Sequence, residues 1–392
     1  MTAVAGGLHD LIDTDRLVAR LVEMVQIPSV NPFGAALGPD EGEQAMADYL
    51  IAHLDRLGYE TGSHAPVEAR PNAWGVSPGG DGPVLALAGH LDTVGVVGYD
   101  DPFSGEVRDG RVYGRGTCDM KAAFAAFLEV ADVLAESGRE LSGRLAILGL
   151  CDEEAAMWGS ANYVCNGPKV DMVIVGEPTN LDVCRAHLGQ YAFVLRTRGE
   201  AVHSSIAETG VNAIEHMTKV IGVLDEYRAE VVSAEPHPLC GTGKVCPSVI
   251  RGGDMVSTVP DVCELEVDRR MAPGETADQV DAALGARLDA LAATVPNFDW
   301  ELAGVLVNSA PLDTPAGAPL VQAALAANSA RSLNGESVKF AGSTDAPHLG
   351  VPAVIWGPGG LSEAHTLDEW VDIEEAVTAA HLYLDAVLCL IA

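Results

Sequence analysis

Four short, nearly uninterrupted apolar runs constrain the fold of this chain more than any other feature. They are VLALAG (84–89), RLAILGL (144–150), DMVIVG (171–176) and PAVIWG (352–357). Runs of this kind are typical of strands that are buried on both faces of a mostly parallel sheet. Parallel strands need helical crossovers, and the stretch at residues 120–138 has the pattern of one. The first and last thirds of the chain are therefore predicted to form a single α/β domain.

The middle of the chain has a different pattern. QYAFVLRTRG (190–199) and DVCELEVDRRMAP alternate polar and apolar residues, as half-exposed strands do, and each is followed by an amphipathic helical segment. This order suits a small sheet that helices cover on one face only. A length of 392 residues also favours two domains over one. We therefore expect an inserted α+β domain at residues 185–298, which divides the outer α/β domain into residues 1–184 and 299–392.

The charge of the chain excludes several classes of partner. It carries 56 acidic and 23 basic residues, for a formal net charge of −33, and such a surface repels nucleic acids and anionic membranes. No apolar run approaches the ~18 residues of a membrane span, and Asp10, Asp13 and Arg16 stand where a secretory signal needs an apolar core. The eight cysteines lack CxxC spacing and are expected to be reduced thiols. We therefore expect a cytoplasmic protein without nucleic-acid or membrane partners.

Acidic and imidazole side chains follow the predicted buried strands at the point where each strand ends. They are His90 and Asp92 after the first run, Asp152, Glu153 and Glu154 after the second, Glu177 after the third and His365 downstream of the fourth, with Asp119 just before a helix. The carboxyl ends of the strands of an open α/β sheet form its ligand crevice. These side chains are therefore expected to share one edge of one sheet.

Imidazole and carboxylate groups together are ligands for zinc and for neighbouring divalent metals. One tetrahedral zinc ion takes about three protein ligands and a water, so about five ligands indicate a pair of ions bridged by a carboxylate and a water. Two dications would also neutralise the row of acids at the mouth of the second strand. The sequence thus predicts a two-metal site.

Each of these residues taken alone has a simpler explanation. Residues 152–154 could form a solvated loop, His90 a hydrogen-bonded strand end, and Asp119 the N-cap of the following helix. Glu177 could be a turn residue, and Asp92 could simply accept a bond from His90, which in a metal site would support the ligand. Their joint placement at strand ends is what favours the metal site.

Five motifs also resemble, in order, the successive signatures of a known family. GHLDTV, GRGTCDMKAAF, CDEEAAMWGS, GEPT and SEAHTLDEWV are similar to those of the zinc aminoacylase group, which includes acetylornithine deacetylase, succinyl-diaminopimelate desuccinylase, carboxypeptidase G-type enzymes and related dipeptidases. The resemblance runs from about residue 15 to the C-terminus. It implies a di-zinc aminopeptidase-like catalytic domain with a mostly parallel central sheet. It also implies an inserted α+β, ferredoxin-like domain that serves as a lid and for dimerisation.

The resemblance assigns roles to the residues at the strand ends. Two Zn²⁺ ions, for which Co²⁺ can substitute, would be held by His90 and Glu177 on one side, Glu154 and His365 on the other, and Asp119 between them. Glu153 matches the catalytic base of the family, and Asp92 belongs with the catalytic residues as the support of His90. Neighbouring side chains on extended backbone point apart, which suits one acid that binds metal and one that acts on water. The family often has a cis peptide after its bridging aspartate, here Asp119–Met120.

In the insertion, the resemblance points to residues that would act on the substrate. RGEAVHSS matches the segment of the lid histidine, here His203, which would hydrogen-bond the developing oxyanion. GVNAIEHM contributes Asn212, and VDRRMAPGE contributes Arg270, and less directly Arg269, as a clamp for a substrate carboxylate. One departure is Ser257 in STVPD, where relatives often have asparagine.

These motifs together predict metal-assisted hydrolysis of an amide. EEAAMWGS and GEPTNLDVCRAHLGQ are closer to the acetylornithine deacetylase and desuccinylase branch, so removal of an N-acyl group from a small amino acid or derivative is expected. The alternative enzyme is a dipeptidase or carboxypeptidase that uses the same site. A non-catalytic binding protein of this fold is less favoured, because Glu153 and all five ligands are intact. We further expect a homodimer through the inserted domain, with His203 acting either in its own chain or across the dimer.

Overall fold

The structure is a computed structural model that describes residues 7–38 and 41–392, in two compact units. The first unit runs to Arg185 and resumes at Thr314–Phe340 and Thr344–Ala392. The second unit comprises Ala186–Asp313 and Ala341–Ser343. Residues 1–6, which the predicted outer domain includes, lie outside the described residues.

The described residues form strands and helices that follow one another along the chain as given below. The strands are β1 (Glu60–Val67), β2 (Arg70–Val76), β3 (Val84–His90), β4 (Val107–Arg108), β5 (Arg111–Tyr113), β6 (Arg144–Leu150), β7 (Met172–Val175), β8 (Cys184–His187), β9 (Gly189–Arg198), β10 (Lys244–Gly252), β11 (Val262–Met271), β12 (Asp299–Ser309), β13 (Leu312–Asp313), β14 (Val338–Lys339), β15 (Ala353–Ile355) and β16 (Trp370–Asp372). The helices are α1 (Thr14–Val25), α2 (Gln44–Arg56), α3 (Ala122–Ser137), α4 (Trp158–Asn166), α5 (Ala213–Ser233), α6 (Ala277–Ala292), α7 (Pro319–Ala330) and α8 (Ile373–Leu390).

The central sheet of the first unit is parallel in its middle and antiparallel at its edges. Its strand order is β1-β2-β6-β3-β7-β15-β8. β3 pairs in parallel with both β6 and β7, and β7 pairs in parallel with β15, whereas β2 and β8 pair antiparallel with their neighbours. These parallel strands are the four apolar runs, and nearly all of their residues are buried. The predicted mostly parallel sheet is therefore confirmed.

An aromatic cluster holds the crossover helix α3 and the C-terminal helix α8 together in the core of the first unit. The ring centroid of Tyr383 lies 5.0 Å from that of Phe127 and 5.6 Å from that of Trp356. The Tyr383 hydroxyl donates a hydrogen bond of 2.6 Å to the main-chain oxygen of Trp356. Each such side chain contributes on the order of 2 kcal/mol through burial. Trp356 directly follows β15, so the cluster also fixes the end of a central strand.

The second unit is a four-stranded antiparallel sheet with two helices. Its strand order is β10-β11-β9-β12, and the chain passes through it as strand, helix, strand, strand, helix, strand. This is the ferredoxin-like arrangement that the resemblance implies. Buried side chains of α5 and α6 form one hydrophobic cluster with alternating residues of the sheet. Side chains cap both helices, with Asn212 at α5 and a capping box of Thr276 and Gln279 at α6.

The structure differs from the sequence prediction at the end of the insertion. β12 (Asp299–Ser309), which was expected in the outer domain, pairs with β9 in the sheet of the second unit, and the first unit resumes only at Thr314. The register of β12 shifts twice, between Leu302 and Gly304 and between Val305 and Val307. Each shift interrupts the alternation of inward and outward side chains, so this strand lacks a period of two in the sequence.

Two further features concern membrane-spanning segments and cysteines. No helix within residues 7–38 and 41–392 is both long and apolar enough to cross a membrane. All eight cysteines are free thiols in the structure.

Candidate metal centre

Strand ends of the first unit bring imidazole and carboxylate groups into two clusters. The first cluster comprises His90, Asp119 and Glu177, and the second comprises Asp119, Glu154 and His365. Within each cluster, one ligand atom from every residue lies within 4.8 Å of the others. Both clusters contain Asp119, so its two carboxylate oxygens are placed between the two groups. All five candidate ligands from the sequence lie in these clusters.

The first cluster is buried. His90 Nε2 lies 2.9 Å from Asp119 Oδ1 and 3.7 Å from Glu177 Oε2. His90 Nδ1 lies 2.9 Å from the main-chain oxygen of Asp92 and donates a hydrogen bond to it, so Nε2 is the ring nitrogen that faces the carboxylates. This is the orientation that a metal-ligating histidine needs.

The second cluster is more open to solvent. His365 Nε2 lies 3.2 Å from Asp119 Oδ2 and 3.2 Å from each carboxylate oxygen of Glu154. The His365 side chain is 52% exposed, and its backbone has a φ of 62°, in the left-handed region. Burial opposes ionisation of Asp119, but hydrogen bonds from His365 and His90 hold its pKa below the usual range. Asp119 is therefore a carboxylate that offers one oxygen to each cluster.

A buried ion pair holds the main chain at Asp119. The main-chain nitrogens of Cys118 and Asp119 donate hydrogen bonds of 3.0 and 3.1 Å to Glu369 Oε1. The other oxygen of Glu369 accepts a hydrogen bond from Arg115, and both side chains are buried. The Asp119–Met120 peptide is cis, as expected from the resemblance. Sequence reasoning missed Glu369, although it lies in the motif SEAHTLDEWV.

Asp92 connects the candidate ligand His90 to the loop that follows β6. Its main-chain oxygen accepts the bond from His90, and its carboxylate accepts the main-chain N–H of Glu153 and of Glu154, each at 3.1 Å. Asp92 is 1% exposed. It therefore supports one ligand of each cluster, and this contact with the loop has no signal in the local sequence.

The three consecutive acids after β6 do not act together. Asp152 is buried and directs its carboxylate away from the clusters, toward Arg70 at 2.8 Å and the side-chain nitrogen of Asn31 at 3.1 Å. Arg70 also binds Glu43. Only the second and third acids of the row remain for the metal site. Sequence reasoning missed Asn31, Glu43 and Arg70, which lie far from Asp152 in the chain.

Burial and mutual repulsion shift the pKa values of the clustered groups. Burial raises the pKa of Glu177 to about 7, and burial together with repulsion from Glu177 raises the pKa of Glu153 well above its usual range. Hydrogen bonds to Asp119 and Glu154 raise the pKa of His365 to about 10. Burial and repulsion disfavour the ionised form of these carboxylates, and a bound cation would stabilise that form.

His203 lies in the second unit, at the start of a short 3₁₀ helix (Ser204–Thr209), and its side chain is exposed. Its Nδ1 atom accepts a hydrogen bond of 3.1 Å from the main-chain N–H of Ser205. The proton of the neutral ring is therefore on Nε2. His203 consequently presents an N–H donor.

The other three residues from the insertion have distinct environments. Arg270 is partly exposed, and its Nε donates a hydrogen bond of 2.9 Å to Asp268. Arg269 is fully buried and donates to the Tyr227 hydroxyl at 3.2 Å, so it belongs to the interior of the second unit. The side-chain oxygen of Asn212 accepts the main-chain N–H groups at the start of α5.

The sequence is similar to that of known hydrolases over most of its length. The profile of peptidase family M20/M25/M40 matches residues 86–388. An acetylornithine deacetylase from Pasteurella multocida is 30% identical over 383 residues, which cover 91% of this chain and 94% of that protein. An acetylornithine deacetylase from Edwardsiella ictaluri is 32% identical over 378 residues, which cover 90% of this chain and 91% of that protein.

Solved structures of similar fold are more distant in sequence. Aminopeptidase PepT from Bacillus cereus has a TM-score of 0.78 at 21% identity, covering 97% of this chain and 99% of that chain. A tripeptidase from Staphylococcus aureus has a TM-score of 0.77 at 20% identity, covering 96% and 98%. The YXEP protein of Bacillus subtilis, described as a dinuclear metal binding peptidase, has a TM-score of 0.70 at 17% identity, covering 96% and 98%. At these identities the likeness establishes the fold.

Proposed function

Because this chain belongs to peptidase family M20/M25/M40, we propose that it is a two-zinc deacylase that removes the N-acyl group from an amino acid or an amino-acid derivative. It is a hydrolase that acts on amide bonds, and its resemblance to the zinc aminoacylase group is confirmed. The observation that carries the proposal is the pair of clusters that share Asp119, with Glu153 next to a member of the second cluster.

The donor set fits two divalent ions. Each cluster combines imidazole with carboxylates, as zinc sites do. Oε1 of Glu177 is buried and has no hydrogen-bond partner among the described residues, which suits an oxygen that binds a cation. We infer that His90 and Glu177 hold one ion, that Glu154 and His365 hold the other, and that Asp119 bridges them, with Co²⁺ able to replace Zn²⁺. When bound, such ions polarise an amide carbonyl and lower the pKa of a water.

Glu153 takes the proton of the attacking water in this proposal and returns it to the leaving amine. Burial opposes ionisation of its carboxyl group and raises its pKa above the usual range, which makes it a stronger base than an ordinary glutamate. Asp92 limits the freedom of the loop by accepting the main-chain N–H of Glu153 at 3.1 Å. Asp92 thus acts on the reaction through Glu153 and through His90.

His203 donates a hydrogen bond to the oxyanion that develops on the amide carbonyl. The support for this role is the proton on Nε2, since Nδ1 already accepts the N–H of Ser205. Removal of one such donor costs about 10²–10³-fold in turnover in well-studied hydrolases.

The free carboxylate of the amino-acid product is assigned to Arg270. Its two Nη atoms have no hydrogen-bond partner within the described parts of the chain, which leaves both for a bidentate contact. Asn212 has its side-chain oxygen engaged in capping α5, so its part in substrate binding would use the amide nitrogen. Arg269 is too buried for this task.

The proposed substrate class follows from the branch of the family. The relatives at 30–32% identity are acetylornithine deacetylases, so we propose an N-acyl amino acid as substrate. A dipeptide is the alternative, because the same metal site serves peptidases. We also propose that the protein is a cytoplasmic homodimer that associates through the second unit, which is the role of the inserted domain in the family that the motifs resemble.

The experiment that tests this function measures metal and activity on one preparation. We expect about two zinc ions per chain and hydrolysis of N-acetylornithine or another N-acyl amino acid. The panel includes N-formyl, N-acetyl and N-succinyl amino acids and several dipeptides, with Glu153→Gln as the matched control that keeps the size of the side chain. Preferential cleavage of dipeptides would replace the deacylase by the peptidase. A fully metal-loaded protein that cleaves none of these amides would overturn both.

A further inference from the structure

A buried arginine lies behind the loop that carries Glu153 and Glu154. Arg70, the first residue of β2, is 3% exposed. Its Nε and Nη2 atoms donate hydrogen bonds of 2.9 and 2.5 Å to the two oxygens of Glu43, and its Nη1 lies 2.8 Å from Asp152 Oδ1. One guanidinium therefore holds two buried carboxylates at once, which a planar fork of donors makes possible.

Asp152 starts the acid loop, by which we mean residues 152–157, in an unusual backbone conformation. Its φ is 68°, in the left-handed region, which a non-glycine residue keeps only when its surroundings fix it. The contacts that fix it are Arg70, a hydrogen bond of 3.2 Å from its own N–H to Glu43, and another of 3.2 Å from the N–H of Ala156 to Oδ2. This turn determines the direction in which the next two acids leave β6.

Asn31 links Asp152 to the metal-site support. Its side-chain nitrogen lies 3.1 Å from Asp152 Oδ1 and 2.7 Å from Asp92 Oδ2. The same Asp92 carboxylate accepts the main-chain N–H of Glu153 and of Glu154. A continuous set of hydrogen bonds thus runs from Arg70 to the backbone of the proposed base and of a proposed ligand.

Removal of Arg70 would leave the negative charges of this set of buried carboxylates uncompensated. Glu43 accepts the main-chain N–H of Asp152, and Asn31 links the carboxylate of Asp152 to that of Asp92. Without the guanidinium these three buried carboxylates repel one another, and the repulsion acts on Asp152, the residue that sets the direction of the acid loop.

We propose that Arg70 is a positioning residue that, through Asp152, aims the acid loop at the metal centre. The proposal rests on the proposed function, because it takes the roles of Glu153 and Glu154 from it. Its consequence is that Arg70 acts on turnover and on the second metal ion, and only weakly on substrate affinity. Contacts made behind metal ligands typically change metal affinity or activity by about 10–100-fold.

The test compares Arg70→Met with a matched control, Arg20→Met, in the full-length, metal-loaded protein. Arg20 is also a buried arginine that binds two carboxylates, Glu129 at 3.3 Å and Asp132, but it does not contact the acid loop. Both variants lose a buried ion pair, so both are expected to lose thermal stability. Only Arg70→Met is expected to lower kcat by about 10–100-fold, with KM within about threefold, and to retain one metal ion of the two after dialysis.

Two further measurements keep the outcome unambiguous. The visible spectrum of the cobalt-loaded protein is expected to lose the contribution of one ion in Arg70→Met and to remain unchanged in Arg20→Met. Arg70→Lys retains the charge but cannot hold both carboxylates, so it is expected to fold and to share the loss of kcat. If Arg70→Met does not fold, Arg70→Lys tests the positioning role in its place.

The positioning role is wrong if a folded Arg70→Met or Arg70→Lys protein keeps two metal ions and the wild-type kcat. It is also wrong if Arg20→Met shows the same loss of metal as Arg70→Met. Failure of the proposed function looks different. In that case the wild-type protein hydrolyses no amide of the panel, while metal retention and the cobalt spectrum still report on Arg70.

Discussion

Glu153 and Glu154 are adjacent carboxylates with different neighbours. The Glu154 carboxylate lies 3.2 Å from His365 Nε2, whereas Glu153 lies outside both ligand clusters found among the described residues. Their main chains are held alike, because Asp92 accepts the N–H of each. The difference between them is therefore one of side-chain direction, and it arises in a turn at residues 153–156 rather than on the extended backbone that the sequence suggested.

We expect Glu153→Ala to lose about 10²-fold or more in turnover while it retains its metal ions, because it removes only the proton acceptor. Glu154→Ala is expected to lose a metal ion first, because it removes a ligand of the second cluster. Metal analysis and anomalous scattering on both variants, with turnover on the same preparations, make the comparison. Loss of metal in Glu153→Ala with retention in Glu154→Ala would exchange the two roles.

At the scale of the elements, a buried lysine ties helix α1 to the turn that carries Asp119. Lys121 is 2% exposed, and its Nζ donates hydrogen bonds of 3.0 and 2.8 Å to the main-chain oxygens of Met24 and Ile27. Burial lowers the pKa of Lys121 to about 7. Burial thus destabilises the charged form of Lys121, and the free energy of unfolding depends on whether this lysine is protonated.

The pH dependence of stability follows from this shift. Between pH 7 and about 10 the unfolded chain binds more protons at this lysine than the folded one, so the contribution of Lys121 to stability rises with pH across that window. We expect the free energy of unfolding of the wild type relative to Lys121→Met to rise by up to about 1.4 kcal/mol per pH unit there. Denaturant titrations of the metal-loaded proteins at pH 7, 8 and 9 measure the difference.

The matched control for this prediction is Lys244→Met, since Lys244 is exposed at the start of β10. Lys121→Met is expected to show a steeper dependence on pH than this exposed control. Equal slopes for Lys121→Met and Lys244→Met would show that Lys121 titrates normally in the folded protein.

Elements that are buried on both faces could be predicted from the sequence, and long-range contacts could not. β3, β6, β7 and β15 are visible as apolar runs because both sides of each strand need apolar residues. β12 has two register shifts and exposed positions, so no simple period marks it. Its assignment to the wrong domain has this physical cause.

The same distinction applies to the candidate site. The clustered residues follow strand ends directly or lie in compact motifs, so local sequence brings them to attention. Arg70 and Glu43 reach Asp152 only in the folded chain, and nothing next to them in the sequence indicates a metal site. Glu369 likewise binds the main chain at Asp119 from 250 positions away.

At the scale of the whole molecule, the metal site and its proposed oxyanion donor belong to different units. The members of both clusters lie in the first unit, on either side of the insertion, and His203 lies in the second. If His203 has the proposed role, a complete site needs a second unit, from the same chain or from a partner. The resemblance favours a partner, since a two-fold dimer would complete two sites symmetrically.

A mixing experiment between two inactive variants distinguishes these arrangements. His203→Ala and Glu153→Ala are each expected to be nearly inactive, for lack of the oxyanion donor and of the base. If His203 acts across the dimer, a heterodimer contains one site with the intact Glu153 of one chain and the intact His203 of the other. We therefore expect activity to return after co-refolding. Each heterodimer should have up to about half the activity of a wild-type dimer, since one of its two sites is complete.

The control is a mixture of chains that carry both substitutions with wild-type chains, purified as heterodimers with two affinity tags. If His203 acts across the dimer, each of its sites lacks one group, and the heterodimer is inactive. If His203 acts within its own chain, the wild-type chain keeps a complete site, and the first mixture regains nothing. Activity in this control together with its absence in the first mixture would therefore reject the shared site, because the two arrangements give opposite results in both heterodimers.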